Sequence, residues 1–437
     1  MVEAIVKAAK KVWSQRVVRC VLIFFATALC CFLLQIASSA LPARAIHAHI
    51  DKDLSRFNAY TNISFIVAKD VKYGQDDFSD SIMLNIAAPY AGQSIMQRAF
   101  SATYYGGSSP IPAEGLLLRA KNWDLANNQY LRYWCGFIVP LRFLLLFADY
   151  SQIIVINIIL LLALTLTNVV LLWRRVGPFV ALSFLIVLLL GGALAVPFSL
   201  QFVGVFYIAL LAILAILLWS KIYYVWSFAP ELFIIIGVLT VWIDFLTAPL
   251  VTLGLPLLVA LLLDDERRPF VIITSTVSWV MSYGTFWVMR WLLAIQMYPQ
   301  SGIFSSVSTG LATRTAQSES LGYKFAALGA NFAMLSDFPR VAFGEDVTRR
   351  KVVVISALCL ILLTLALVWL INSFKPSFKN FAYCFIVGLY PLVWYLALAD
   401  HSTNHVWFTY RSLTITLFAL VCLAYELKPF SSLSQRK

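Results

Sequence analysis

The sequence predicts an all-α fold, a polytopic transmembrane bundle of about ten spanning helices with two large extracytoplasmic loops. Three observations predict it. Apolar residues make up 61% of the 437, against about 45–50% in a soluble domain. Charged residues make up only 12%, against about 25%. The apolar residues also fall into repeated runs close to the roughly 20 residues that carry a helix across a bilayer.

The chain opens with Lys7, Lys10, Lys11 and Arg16 set beside Ile5, Val6, Ala9 and Val12, a basic amphipathic segment suited to a membrane surface. The apolar run that follows, about 17–41, exceeds the 7–15-residue core of a signal peptide, so a retained helix with a cytoplasmic N-terminus is expected. Residues 42–136 form the first extracytoplasmic loop, with His47, His49, an acidic cluster at Asp76–Asp80 and a turn at Tyr104–Pro110. Tyr133–Phe147 is too short to span and Asp149 interrupts it, so an interfacial or re-entrant helix is expected.

Further spans are expected over about 152–173, 177–197, 199–219, 226–246, 247–263 and 270–293. Arg174-Arg175 marks a cytoplasmic end. A second extracytoplasmic loop, 297–349, holds an amphipathic piece around Gly322–Leu335. Spans over about 352–373, 381–399 and 407–426 complete the scheme, the last two joined by an outer turn at His401–His405. The whole chain, 1–437, reads as one multipass domain of the cell membrane with both termini cytoplasmic.

The formal charge of +12 comes from Lys and Arg scattered through loops and helix ends, without a basic arm or recognition module, which excludes nucleic acid as a partner. Anionic lipid accounts for it. Six of the seven cysteines lie in apolar runs and no CxxC pair occurs, so neither a disulfide framework nor a cysteine metal site is indicated.

On this topology the unusual polar residues gather on the outer side: Asp76, Asp77, Asp80, Arg132, Asp244, Arg290, Asp400, His401, His405 and Arg411. Ionisable residues at membrane depth are costly and are usually kept for a site. Asp76 and Asp80, four apart, share a helix face, and Asp77 turns away from it. Both fit a general base, and both equally fit the acidic start of a helix. Asp244 is either functional or an interfacial residue; Arg290 and Arg411 either bind phosphate or anchor the chain. Tyr133, Trp134 and Tyr410 offer aromatic faces to sugar rings. His401 and His405 have an i, i+4 spacing that can hold a metal, without the intervening Glu of the zinc-protease motif. No cofactor is required by the sequence, and a divalent cation is one option.

A carboxylate base beside an arginine phosphate clamp suits sugar transfer from a lipid phosphate. The layout resembles the integral-membrane glycosyltransferases of the GT-C fold, and a group of bacterial multipass proteins associated with cell-surface polysaccharides. The matching pieces are Asp76–Asn85, Arg132-Tyr133-Trp134-Cys135-Gly136, Asp244–Leu250 and His401–Arg411, with Cys135 where that pattern carries histidine. The resemblance implies a polyprenyl-phosphate-linked sugar donor, a glycan acceptor of the envelope or surface polysaccharide, and catalytic acidic residues in the first outer loop, hence Asp76 and Asp80. Asp77, Arg132, Tyr133, Trp134, Asp244, Arg290, His401, His405, Tyr410 and Arg411 are expected to bind substrate, Arg290 from its charge at membrane depth and the others from the matching pieces. A flippase or transporter of lipid-linked oligosaccharide, or a polysaccharide polymerase, is the alternative.

Overall fold

The computed structural model describes residues 2–57, 64–68, 71–74, 76–90, 92–108, 111–225, 228–263, 268–316, 319–335 and 378–426. The expected span at 352–373, and the basic Arg349–Lys351, lie outside them.

Helix α1 runs unbroken from Val2–Ser39, so the basic segment continues the first apolar helix and is not a separate surface piece. Nothing in 1–41 breaks a helix: the stretch has neither Gly nor Pro. Five helical stretches among the described residues are long and apolar enough to cross a membrane. They are Gln15–Ser39, Tyr150–Arg175, Leu200–Trp219, Pro269–Met297 and Val406–Glu426. They belong to α1, α7 (Tyr150–Arg175), α9 (Leu200–Val225), α12 (Arg268–Met297) and the C-terminal helices α18 (Val406–Thr409) and α19 (Leu413–Glu426).

Four other expected spans are shorter apolar helices: α8 (Pro178–Leu190), α10 (Ala229–Ile243), α11 (Leu250–Leu263) and the pair α15 (Phe378–Gly388) and α16 (Tyr390–Ala397). Three of these shortenings have a local cause. Gly191-Gly192 ends α8, with Gly192 at φ +76. Asp244 leaves the helical region at the end of α10. Pro391 has no N–H to continue the helix across Gly388-Leu389, and the Thr416 hydroxyl donates instead to the Gly388 carbonyl at 2.8 Å.

α10 and α11 form the middle of the bundle. α10 packs on α12, α1, α9 and α11. Gly237 permits the close α10–α12 crossing, since a Cβ there would fall 2.7 Å from the Trp279 carbonyl. Leu250–Leu261 is buried on every side, the pattern of a helix inside a bundle.

The first loop is a folded cap. It contains α2 (Ala43–Asp51), the antiparallel hairpin β1–β2 (Ser64–Ala68, Val71–Gly74), α3 (Asp77–Ala87), α4 (Ile95–Phe100) and α5 (Pro112–Lys121). Strands β3 (Thr103–Tyr104) and β4 (Asn128–Gln129) form a second antiparallel pair, and α6 (Ile138–Leu144) is the short helix expected near the interface. These short strands are confined to the cap, and the chain is otherwise helical, as the all-α expectation has it. Ile46, Leu84, Leu116, Ile138 and Tyr150 centre the cap's own apolar core.

Buried arginines tie cap to bundle through helix C-termini, where carbonyls lack partners and the dipole favours a cation. Arg142 donates to the Ala87 carbonyl at 2.8 Å and to the Ser39 hydroxyl at 2.7 Å, joining α3 to the end of α1. Gln35 of α1 donates to the Ala99 and Trp134 carbonyls at 2.8 and 2.7 Å. In the second loop, α13 (Ile303–Arg314) and α14 (Leu321–Met334) lie against α17 (Ala399–Asn404). Asn331 holds α14 there, donating to the Ser402 carbonyl at 2.8 Å and accepting from Thr409 at 2.7 Å. Both loops therefore meet over one end of the bundle.

Candidate functional site at the meeting of the two loops

Asp76 is the N-cap of α3; its carboxylate accepts from the Ser79 N–H at 3.0 Å. It also accepts from the Ser199 hydroxyl at 2.9 Å, and its own N–H donates to the Phe198 carbonyl at 3.2 Å. One turn on, Asp80 accepts from the Leu200 N–H at 2.9 Å and from the Tyr150 hydroxyl at 2.7 Å. The two carboxylates share a face, as their spacing predicts, and that face grips the turn that starts α9. The N-terminus of α9 stabilises negative charge there.

Their accessibilities differ. Asp80 is fully buried. Burial pushes its carboxyl well above the usual carboxylate range, and the neighbouring Asp76 adds to the effect. The expectation of Asp80 as a base is corrected on this ground: its acceptor positions hold α9 and Tyr150. Asp76 is half-buried. Burial raises its pKa, while the bonds from Ser79 and Ser199 and the charge of Arg411 pull it back. Asp77 lies in the first turn of α3, half-buried.

Arg411 is buried, with its guanidinium carbon 4.0 Å from the centre of the Phe202 ring. Nη1 donates to the Trp407 carbonyl at 2.8 Å, and Nε has no partner among the described residues. Tyr410 is buried beside it, with its ring centre 5.1 Å from that carbon. The Gly192 turn makes room for both, because a Cβ there would fall 2.2 Å from the Tyr410 hydroxyl and 3.8 Å from Arg411 Nη2.

An aromatic wall leads from Arg411 to a second polar group. Phe202 contacts Trp407 and Phe408, and Phe408 contacts the rings of His401 and His405, at centroid distances of 4.6–6.3 Å along the wall. His401 Nε2 bonds the Leu246 carbonyl at 2.9 Å, and Nδ1 has no partner among the described residues. Burial lowers its pKa to about 4, so the ring is neutral at pH 7. His405 is exposed, its ring 4.9 Å from that of His401, and its pKa is lowered by partial burial and then by Arg314.

Arg314, at the end of α13, is the hub of this group. Nη2 donates to the Tyr133 hydroxyl at 2.7 Å, and its charge acts on both histidines. Tyr133 stacks on Tyr130 at 5.4 Å and meets the edge of Phe245 at 5.4 Å. Arg132 lies 5.9 Å from the centre of the Tyr130 ring, and its carbonyl accepts from the indole N–H of Trp287 at 2.9 Å. Asp244 is buried at the end of α10, its carboxylate accepting from the N–H and hydroxyl of Thr247. These bonds fold the 244–247 turn that presents Phe245 and the Leu246 carbonyl.

Four non-glycine residues among those described have left-handed backbones: Ala102, Cys135, Leu246 and Ala316. All four adjoin this group. The Ala102 carbonyl accepts from Tyr130, Cys135 and Ala316 follow Tyr133 and Arg314 by two residues, and Leu246 holds His401. Such conformations cost about 1–3 kcal/mol each and concentrate where function requires them.

Two further expectations are corrected. Arg290 is fully buried and donates to the Tyr133 and Phe100 carbonyls at 2.6 and 2.9 Å. It is a clasp between α12 and the first loop, not a phosphate ligand. Trp134 is buried, stacked on Phe286 at 4.3 Å, with its indole N–H donating to the Phe286 carbonyl, so its face is closed to sugar. Among the described residues no three His, Cys, Asp or Glu side chains gather to hold a metal ion.

Arg314 is absent from the residues singled out by sequence, as are Ser199 and Phe202. Arg314 stands in the second loop with an ordinary spacing, and its one signal is that a lone cation ends a helix. Ser199 and Phe202 carry no signal at all, since they read as part of an apolar run. No protein-family model, curated protein or solved structure matches the chain.

Proposed function

We propose that the protein is a membrane glycosyltransferase that moves a sugar from a polyprenyl-phosphate donor to an envelope or surface-polysaccharide acceptor. The observation that carries this reading is the half-buried Asp76 carboxylate, within electrostatic reach of the Arg411 guanidinium without an ion pair between them, at the end of the bundle where both loops meet. In this reading the acceptor hydroxyl gives its proton to Asp76. Its oxygen attacks the anomeric carbon, and the bond from that carbon to the phosphate oxygen breaks. The leaving lipid phosphate gains one negative charge, which Arg411 and Arg314 neutralise. Asp76 suits the base because burial lifts its pKa toward the working pH. Arg132 and His405 then border the sugar, while Tyr133, buried as Trp134 is, acts with His401 and Asp244 in shaping the loops that hold it.

The orientation follows from charge. The bundle end opposite the loops carries Arg16 of α1 and Arg174-Arg175 of α7, and positive residues favour the cytoplasm. The loops then face outward, in a chain of about ten spans with cytoplasmic termini.

The test uses purified protein in liposomes with a polyprenyl-phosphate sugar and an acceptor glycan. Release of polyprenyl phosphate with sugar on the acceptor is expected, and Asp76→Asn stops it. Movement of the donor across the bilayer without bond cleavage would overturn the reading in favour of a flippase.

A further inference from the structure

A groove of about 820 Å³ opens sideways between α1 and α12, floored by α10. Its volume lies within the range of ligand pockets, about 300–1,000 Å³. Val21, Phe25, Ile273, Val277 and Met281 line its rim, each about half exposed or more, on helices apolar enough to sit in a membrane. The short side chains of Thr274, Ser278 and Thr285 line α12, and Ile234 lines α10. Phe24 meets the edge of Phe286 at 6.4 Å beyond the groove's loop-side end. At the other end stands Arg16, its guanidinium 5.1 Å from the centre of the Phe270 ring.

The charge at that mouth is uneven. Arg19, one turn along α1, is paired with Glu231 at the start of α10. Arg16 makes no ion pair among the described residues. The same helix continues back through Lys11, Lys10 and Lys7. An apolar slot with a cation at its mouth matches one class of occupant, a membrane lipid with an anionic headgroup. We infer that one acyl chain of an anionic phospholipid fills this groove, with its phosphate against Arg16. The site does not depend on the transferase reading, because it requires only that these helices lie in a bilayer. Bound there, the lipid fills the gap between α1 and α12 and extends the packing of the bundle to its loop-distal end.

The test is native mass spectrometry of the full chain released from nanodiscs holding equal phosphatidylglycerol and phosphatidylcholine. The wild type is expected to keep one phosphatidylglycerol, preferred about fivefold, the preference that one surface arginine supplies. Arg16→Gln keeps a lipid and loses the preference. Ser278→Phe, which fills the groove, loses the lipid, while Leu166→Phe on the exposed face of α7 behaves as wild type. If Ser278→Phe does not fold, Ile273→Trp at the rim serves the same purpose. Equal retention and equal preference in wild type and both groove and arginine variants would mean surrounding lipid only, and would overturn the inference. Displacement of the lipid by millimolar glycerol phosphate would also overturn it, since the headgroup alone would then carry the binding.

Discussion

Arg314 of the second loop donates to the Tyr133 hydroxyl of the first at 2.7 Å, so the two loops are joined by one charge-assisted hydrogen bond. A hydrogen bond to a charged group is worth about 1.5–3 kcal/mol, a factor of about ten or more. Arg314→Gln should therefore lower turnover of the lipid-phosphate donor at least tenfold. Tyr133→Phe, which keeps the charge, should cost less. Thermal unfolding in detergent should change only modestly for Arg314→Gln, because the bond joins two loops and not the helices of the bundle; a large fall in Tm would assign Arg314 to structure instead.

The two carboxylates of α3 should separate by phenotype. Asp76→Asn should reduce turnover by about 10²–10⁴-fold, the usual loss for a general base, with modest loss of stability. Asp80→Ala strands the Tyr150 hydroxyl and the Leu200 N–H in a buried place, at about 1–3 kcal/mol each. It should lower Tm, and what remains folded should still turn over. Equal kinetic losses with equal stability would contradict the assignment.

The pH–rate profile tests the Asp76–Arg411 neighbourhood. Asp76 must be ionised to accept a proton, so the rate should fall as pH drops through its raised pKa. The acid limb is then expected above the ordinary carboxylate value. Arg411 pulls that pKa down, so Arg411→Gln should move the limb to higher pH as well as weaken donor binding. A limb that stays in place would separate the two residues.

Asp80 makes a prediction about stability. Its folded pKa is raised, so the native state holds the proton more tightly than the unfolded chain. Its contribution is fully present below the unfolded pKa and is lost as pH rises through the folded one. Asp80→Asn removes this titration, and Tm measured against pH should decline less steeply than in wild type.

Arg290→Met should detach the first loop from α12. It leaves the Tyr133 and Phe100 carbonyls without their donor inside the protein, at a cost of about 2–5 kcal/mol. Proteolysis within residues 92–135 should then quicken, and the KM for donor should rise only through the misplaced Tyr133.

Much of the architecture was legible because it rests on runs of like residues. The apolar stretches 17–41, 152–173 and 199–219 specify helices whatever surrounds them, since a helix is what satisfies its own backbone in hydrocarbon. Their ends were harder to place. Gly191-Gly192 and Gly388-Leu389-Tyr390-Pro391 are short local stops inside apolar runs that read as continuous.

The candidate site was legible as residue types on one side, and less so as roles. Asp76, Arg411, Tyr133, Asp244, His401 and His405 do sit at the loop end. Arg290 and Asp80 had the same outward signals, a lone charge in apolar surroundings, and serve as clasps. Charge and spacing alone do not tell a buried ion that holds two backbone segments from one that faces a substrate. The difference lies in which carbonyl or N–H arrives opposite, and that is set by contacts across 70 to 190 positions of chain, such as Tyr150 to Asp80 and Arg290 to Phe100. Sequence by itself determined the existence of the apolar helices and the end where polar residues gather, because these follow from local composition and the solvent each segment requires. Only the tertiary structure decided that Arg314 joins Tyr133, that Asp76 is only partly buried and that Asp80 is sealed, because burial and hydrogen-bond partnership belong to residues brought together from distant parts of the chain.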